Sequence, residues 1–317
     1  MGMKDTVTKD YLKQNVIFAD VFNYALYDGE QRIDSQQLVD KDVSEISLPF
    51  GEDGEMIPIQ KYRDLLKGYI AKEYQGNLLI ILGVENQSEV HYAMPVKCML
   101  YDALNYASQV DEKRKEYRER RKNKELDFKE SPAEFLSGFH EDDKLVPVIT
   151  VTVYWGTEKW DGPRSLKDML KTDMINQDSK ILRWIPDYRI PLIIPEEIKH
   201  FEWFKTEFGK TMNFISKSKD KEEMKQLLSN TGYKTFSKTA AKIIREFAGL
   251  KIEIDEGKEM VDVCKAWEEQ KEDGIRIGED RINRLIIKLA DLGRSEDIVK
   301  AAKDTEYQKQ LIEELGL

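Results

Sequence analysis

Apolar residues at helical spacing predict two amphipathic helices in the first part of the chain. The first lies between residues 16 and 27, where the apolar positions are Phe18, Val21, Phe22, Ala25 and Leu26. The second begins at Pro95, because proline is tolerated at the first position of a helix. Its apolar positions are Val96, Met99, Leu100, Ala103, Leu104, Ala107 and Val110. Asp20 and Lys97 fall on the polar faces of these two helices.

Runs of apolar and β-branched residues predict strands between and after the helices. Residues 61–71 and 77–84 are expected to be two strands joined by a turn at 75–77. Residues 78–82 are so continuously apolar that this strand is expected to be buried on both faces. Residues 145–154 predict a further interior strand of the same sheet.

The remaining pattern divides the chain into two parts. Residues 30–59 contain Pro and Gly breakers and predict irregular structure, whereas a helix is expected from Ser165 and a strand over residues 188–194. From residue 199 onward the periodicity is almost exclusively helical. We therefore predict an α/β domain over residues 1–198 and a mainly helical C-terminal region over residues 199–317, through which the chain is able to form a homo-oligomer.

The charge distribution restricts where a nucleic acid would bind. The chain has 50 Lys and Arg against 60 Asp and Glu, a formal net charge of −10, so any nucleic-acid surface must be local. Residues 113–124 are the candidate, with eight cations against Glu116 and Glu119. As a helical extension this segment would present its cations to the phosphates of a nucleic acid. The alternatives are a solvated linker or an arm for oligomer contacts. The cations are Lys113, Arg114, Lys115, Arg118, Arg120, Arg121, Lys122 and Lys124.

Cysteine and histidine are too sparse for a disulfide scaffold or a zinc site. The chain has two cysteines, Cys98 and Cys264, and three isolated histidines. The cytoplasm is the compartment that this usage favours. The first ten residues have no apolar signal core, and no run of 18 apolar residues occurs, so we expect neither secretion nor a membrane span.

Two carboxylates at predicted strand ends are the candidate chemistry. Asp64 lies on the first strand, and Glu85 lies where the apolar strand reaches its polar end. Neighbouring strands would bring them together as oxygen ligands for Mg²⁺ or Mn²⁺, and Gln87 would point the same way as Glu85. Alternatively, Asp64 is an edge-strand charge beside a neighbouring cation, and Glu85 merely ends a buried strand.

Three sequence runs together resemble a known family. They are Tyr62-Arg63-Asp64, Leu79-Ile80-Ile81-Leu82-Gly83-Val84-Glu85-Asn86-Gln87-Ser88 and Tyr101-Asp102-Ala103-Leu104-Asn105-Tyr106. The combination is similar to the recombination-promoting nucleases, also described as YhgA-like putative transposases, of the PD-(D/E)XK nuclease superfamily. The resemblance covers about residues 10–195.

The resemblance implies a restriction-endonuclease-like fold, in which helices flank a mixed central sheet, and metal-dependent cleavage of DNA. Asp64 and Glu85 match the metal-ligating carboxylates, and Asp20 matches an accessory acidic position. Gln87 stands where the superfamily has a lysine, and a neutral amide can only hydrogen-bond. Lys97 would supply the missing ammonium from the following helix, or is simply a solvated lysine. Asp102 departs from a position where many relatives have a basic residue.

The resulting hypothesis is a Mg²⁺- or Mn²⁺-dependent endodeoxyribonuclease of the transposase or recombination-promoting type. Asp64 and Glu85 would bind metal with help from Asp20, while Gln87 and Lys97 would act on water and on the developing charge. The alternative hypothesis is a catalytically silent module of the same fold that binds DNA or protein. Stoichiometric binding of Mg²⁺ or Mn²⁺ distinguishes the two.

Overall fold

A computed structural model describes residues 2–42, 44–47, 59–70, 78–125, 130–171, 180, 182–255 and 257–317. The predicted turn at residues 75–77 lies outside these ranges. The first half of the described chain contains helices α1 (Met3–Leu12), α2 (Asn15–Tyr27) and α3 (Met94–Lys122), and strands β1 (Leu38–Asp40), β2 (Ser44–Ser47), β3 (Ile59–Tyr62), β4 (Leu65–Ile70) and β5 (Leu78–Gln87).

The chain after α3 contributes two more strands to the main sheet and is then mainly helical. Its first elements are α4 (Pro132–Ser137), β6 (Val148–Tyr154) and β7 (Leu192–Ile193). The helices that follow are α5 (Glu207–Lys217), α6 (Lys221–Ser229), α7 (Lys238–Ala248), α8 (Val263–Asp291), α9 (Ser295–Ala301) and α10 (Thr305–Glu314). A small antiparallel sheet of two strands, β8 (Thr235–Ser237) and β9 (Met260–Asp262), lies among them.

The five main strands form one mixed sheet in the order β1-β4-β5-β6-β7. The pairs β1/β4 and β4/β5 are antiparallel, whereas β5/β6 and β6/β7 are parallel. Helix α3 connects β5 to its parallel neighbour β6, as a parallel crossover requires. The prediction that residues 78–82 and 146–153 form interior strands of one sheet is confirmed, with β6 beginning at Val148. The chain is a mixed α/β protein with a mainly helical C-terminal region, as predicted.

Several predicted elements differ from the structure. The strand predicted over residues 61–71 is divided at Arg63 and Asp64 into β3, which pairs with β2, and β4, which belongs to the main sheet. Residues 30–59, predicted to be irregular, include β1 and β2, and both strands lie before Pro49, the first of the Pro and Gly breakers in this segment. The helix predicted from Ser165 is a single 3₁₀ turn at Lys167–Met169 in the described residues. The strand predicted over 188–194 is limited to β7.

One hydrophobic core includes residues from both sides of position 199. Tyr11 of α1, Trp155 after β6 and Phe208 of α5 are fully buried and pack their rings together. Ala240 and Ile244 of α7 belong to the same core. The predicted division at residue 199 therefore does not coincide with a break in the core.

A second, smaller core lies at the end of the chain. The last part of α8 packs there with α9 and α10 through the buried residues Leu285, Leu289, Ala301 and Leu311. The middle of α8 is largely exposed, including Ile275 and Ile277. None of the described helices is both long enough and apolar enough to cross a membrane.

Asp20 joins the N-terminal helices to the C-terminal ones. Its side chain is buried on α2, and its two oxygens accept hydrogen bonds from the backbone N–H groups of Lys205 and Thr206 at 2.8–3.0 Å. The Thr206 hydroxyl donates a further bond of 2.6 Å. Thr206 itself caps α5, so one carboxylate fixes where α5 begins against α2.

Replacing Asp20 by Asn should destabilise the protein. The amide keeps the shape but removes the charge and directs an N–H₂ group toward buried donors, so we expect a loss of about 2 to 4 kcal/mol in the free energy of unfolding. The measurement is urea denaturation followed by circular dichroism. Asp10→Asn, at an exposed position of α1, is the control and should leave the midpoint unchanged. Equal midpoints for all three proteins would refute the anchoring role.

Candidate functional site

Asp64 and Glu85 lie side by side at the start of β4. Leu65 pairs with Val84 in the antiparallel ladder, so the next residue on each chain, Asp64 and Glu85, are neighbours by register. Their charges are close enough that Asp64 raises the pKa of Glu85. The structure therefore brings together the two carboxylates that the sequence singled out.

Glu85 is a buried carboxylate, and only one of its two oxygens has a partner among the described residues. Its side chain is 1% exposed, on the central strand β5. The Lys97 ammonium at the start of α3 lies 2.8 Å from Oε2. Oε1 is buried and has no hydrogen-bond partner among the described residues. Because an unpaired buried oxygen costs free energy, Oε1 is a position where a ligand would be stabilising.

The titration of the Glu85–Lys97 pair reflects this environment. Burial raises the pKa of Glu85, Asp64 raises it further, and Lys97 opposes both. For Lys97, burial lowers the pKa, but the Glu85 carboxylate outweighs burial and the pKa is raised. The Lys97 ammonium is thus held as a cation beside Glu85, and it is not the freely solvated lysine of the alternative interpretation.

Asp64 is held by two groups from opposite sides. The backbone N–H of Asn86 donates to Oδ2 at 2.7 Å, and the ammonium of Lys9 on α1 lies 3.0 Å from Oδ1. Lys9 also contacts Asp5, one turn earlier on the same helix, at 3.2 Å. Burial lowers the pKa of Lys9, but the two aspartates outweigh burial and raise it.

Gln87 follows Glu85 by two residues, so the two side chains leave β5 on the same face. The end of the strand is fixed by Trp155, whose backbone N–H donates to the Gln87 carbonyl at 2.8 Å. The indole N–H of Trp155 donates to Asn86 Oδ1 at 2.8 Å. The Gln87 side chain is partly exposed and makes no hydrogen bond within the described part of the chain. Its amide is therefore available to water or to a ligand.

A second ionic pair lies beneath the carboxylates, between the sheet and α3. Arg63 and Asp102 have side chains that are 0% and 8% exposed, and they meet at 2.9 Å. Thr150 of β6 donates to Asp102 Oδ1 at 2.7 Å and accepts from Arg63, and the Tyr188 hydroxyl donates to Oδ2 at 2.5 Å. A side chain at Gly83 would clash with the guanidinium, so glycine is required there. Asp102 is thus a buried counter-charge, which explains the absence of a basic residue at this position.

The donor chemistry at Asp64 and Glu85 fits a hard divalent cation. Mg²⁺ is commonly held by one or two carboxylates and completes its shell with water and substrate phosphates. Asp64 and Glu85 would hold such an ion, and the unpartnered Glu85 Oε1 is the observation that supports it. Among the described residues no three His, Cys, Asp or Glu side chains form a metal-binding group. Asp20, the accessory position, has its carboxylate engaged by Lys205 and Thr206.

Residues 113–124 extend α3 far beyond the carboxylates. At 1.5 Å per residue the segment begins about 24 Å along the helix from Lys97. It packs on residues 130–143, where the Tyr117 ring stacks on His140. Four of the eight cations are paired with acidic residues: Lys113, Arg114, Arg120 and Arg121. The segment therefore lies at the far end of α3 and is partly neutralised.

The other four cations of this segment are exposed. No ion-pair partner is found for them within the described ranges: Lys115, Arg118, Lys122 and Lys124. The first three are spaced i, i+3 and i+7, which places them on one face of α3. We refer to Lys115, Arg118 and Lys122 as the basic face.

Sequence reasoning missed two contributors to the site. The sequence pattern does not predict helix α1, so it does not identify Lys9 as a site residue. The signal that was present is the i, i+4 spacing of Asp5 and Lys9, which is typical of a helical ion pair. Arg63 was considered only as a possible neighbour of Asp64, and nothing in the local pattern indicates that it crosses β5 to reach Asp102.

Comparisons with known proteins find no match for this chain among protein-family models, curated proteins or solved structures.

The Arg63–Asp102 pair should behave as a coupled unit. Asp102→Leu leaves a buried guanidinium without its counter-charge and should cost about 3 to 5 kcal/mol of unfolding free energy. Adding Arg63→Met removes the uncompensated charge and should recover a substantial part of that loss. The four proteins of this double-mutant cycle are compared by urea denaturation. A double variant whose loss of unfolding free energy equals the sum of the two single losses would show that the two residues act independently.

Proposed function

We propose that the protein is a Mg²⁺- or Mn²⁺-dependent endodeoxyribonuclease of the transposase or recombination-promoting type, with a restriction-endonuclease-like fold. The observation that carries the proposal is the juxtaposition of Asp64 with a buried Glu85 whose Oε1 has no partner among the described residues. Further support is that Asp64, directly before β4, and Glu85, on the neighbouring antiparallel strand β5, lie opposite each other by register.

The proposed reaction is hydrolysis of a phosphodiester. The oxygen of a water molecule forms a bond to phosphorus while the bond to the leaving oxygen breaks, and the attacking water gives up one proton to solvent while the leaving oxygen takes one up. The cation, when bound, supplies charge neutralisation for the phosphate and lowers the pKa of water. The protein's own residues do the positioning: Asp64 and Glu85 hold the cation, and the free amide of Gln87 hydrogen-bonds the attacking water.

Lys97 supplies the ammonium that a lysine at position 87 would otherwise supply. Its ammonium contacts Glu85 Oε2, and the Lys97 side chain as a whole is 30% exposed, so Lys97 is not sealed off from solvent. A fixed cation at this position stabilises negative charge that develops on the phosphate oxygens. The site therefore has a fixed cation from α3, although position 87 on β5 is Gln and not Lys.

The basic face of α3 is the proposed second contact with DNA. Lys115 and Lys122 lie about 27 Å and about 37 Å along the helix from Lys97. At 3.4 Å per base pair, a duplex that follows α3 would meet these residues about 8 to 11 base pairs from the carboxylates. Such contacts go to phosphates and carry no sequence information by themselves.

Two further expectations belong to this proposal. A DNA substrate and the sparse cysteines favour the cytoplasm. Self-association through the C-terminal helices is supported by three exposed isoleucines that share one face of α8, Ile275, Ile282 and Ile286, since an exposed apolar face favours a partner.

Glu85→Gln and Asp64→Asn should each abolish cleavage. Each change preserves shape and removes one charged ligand, so metal-dependent nicking of supercoiled plasmid should fall by about two orders of magnitude or more. Gln87→Lys should preserve or raise the rate, because it adds a cation where water is positioned. The assay compares Mg²⁺, Mn²⁺ and EDTA at matched protein stability.

Glu89→Gln is the matched control, since Glu89 is an exposed carboxylate just beyond β5. It should nick as the wild type does. Nicking by Glu85→Gln at the wild-type rate would place the activity elsewhere or in a contaminant. Absence of both metal-dependent nicking and stoichiometric Mn²⁺ binding would support the alternative, a silent binding module.

Neutralising the basic face should weaken the binding of long duplexes selectively. Changing Lys115, Arg118 and Lys122 to Gln should reduce affinity for a duplex of about 24 base pairs and lower the slope of log K against log salt by roughly one unit per lost contact. A duplex of about 6 base pairs bound at the carboxylates is too short to reach these positions, so its affinity should not change. Fluorescence anisotropy at several salt concentrations provides both quantities.

A second triple variant controls for the change in net charge. Lys258, Lys265 and Lys309 are 65–73% exposed and lie in the C-terminal region. Their replacement by Gln should leave the salt slope as in the wild type. Equal slopes for the two triple variants would assign the basic face to another role.

A further inference from the structure

Lys9 lies at the candidate site without any role in the function proposed so far. Its ammonium is 3.0 Å from Asp64 Oδ1, and the side chains of Lys9 and Asp64 are 22% and 16% exposed. Glu85 beside them is fully buried, so Lys9 lies at the solvent-facing side of the carboxylate pair. A ligand approaching Asp64 from solvent therefore meets the Lys9 ammonium.

The carboxylates of the site outnumber its ammonium groups by one. Asp5, Asp64 and Glu85 contribute three negative charges, and Lys9 and Lys97 contribute two positive charges. Arg63 is neutralised separately by Asp102. A site with one net negative charge repels a phosphodiester, whereas the same site with one divalent cation carries one net positive charge. The cation therefore changes the affinity of this site for phosphate.

The two lysines differ in what a cation would do to them. Among the described residues Glu85 Oε1 has no partner, so a cation can use Glu85 while Lys97 stays on Oε2. Each Asp64 oxygen already has one partner, because Oδ2 accepts from the Asn86 N–H and Oδ1 contacts Lys9. A cation bound to Asp64 would lie next to the Lys9 ammonium, and the two positive charges would repel each other. Lys9, whose side chain is partly exposed, is thus the group free to move away.

We propose that Lys9 is a phosphate-contacting residue of this site, which leaves Asp64 when a divalent cation binds and then holds a non-bridging oxygen of the DNA backbone. This inference rests on the proposed function. The flexible four-carbon stem of lysine allows the ammonium to move while α1 stays fixed. The alternative destination is Asp5, which Lys9 already contacts.

The test measures DNA binding without cleavage, with Ca²⁺ as the hard cation and EDTA as its absence. For the wild type, Ca²⁺ should tighten binding of a short duplex. For Lys9→Gln, the affinity in Ca²⁺ should be roughly tenfold weaker than for the wild type, the size expected for one charge-assisted hydrogen bond. In EDTA the two proteins should bind equally, because Lys9 is then engaged by Asp64. Lys9→Arg keeps the cation and should restore most of the affinity.

Lys13→Gln is the matched control, because Lys13 is exposed at the end of the same helix. It should respond to Ca²⁺ as the wild type does. Calorimetry with Ca²⁺ alone separates the two steps: removing a competing ammonium should leave cation affinity unchanged or increased in Lys9→Gln.

The outcomes distinguish this inference from the proposed function. If the wild type binds Ca²⁺ and its DNA affinity rises, but Lys9→Gln responds equally, the role of Lys9 is overturned while the metal site stands. If Lys9→Gln loses cation affinity, Lys9 supports Asp64 structurally and the inference is again overturned. If neither cation nor DNA binds to the wild type, the proposed function itself fails.

Discussion

The burial of the Glu85 carboxylate on the central strand is the constraint on which this site depends. An ionised group with 1% exposure destabilises a fold unless a counter-charge compensates for it. Lys97 provides that counter-charge from the first turn of α3, so the helix must begin directly over the end of β5. A second buried pair, Arg63 with Asp102, fixes the same helix one turn further along. Two ionic contacts thus set the position of α3 on the sheet.

The hydrogen bonds and ion pairs at Glu85 do not satisfy all of its buried polar atoms, and the proposed function rests on this observation. Oε1 of Glu85 and Nδ2 of Asn86 are buried without partners in the described structure. By contrast, Asp102 one layer below is satisfied by three donors. Asp102 thus has all its hydrogen bonds, whereas the nearby Glu85 lacks a partner for one oxygen. An unsatisfied buried polar atom of this kind is expected at a binding site.

The C-terminal helices are part of the support for this site. Trp155, which holds the last two residues of β5, packs against Tyr11 of α1 and Phe208 of α5. Asp20 fixes the start of α5 against α2. Since α1 also carries Lys9, the carboxylate pair is positioned from both faces of the sheet: by α3 on one side, and by α1 with its C-terminal partners on the other.

The sequence by itself determined the elements whose signals are local. The continuous apolar run at residues 78–82 identified an interior strand, Pro95 with its helical periodicity identified α3, and the strand-end positions of Asp64 and Glu85 indicated their meeting. Tertiary structure decided the rest. The sequence around Asp20 is compatible with binding a cation and equally with accepting hydrogen bonds from backbone N–H groups. Only the packing of α5 on α2 shows that Asp20 accepts hydrogen bonds from the backbone. Lys9, Arg63 and Asp102 meet their partners across distant parts of the chain, and no local periodicity records contacts that strand register and helix packing create.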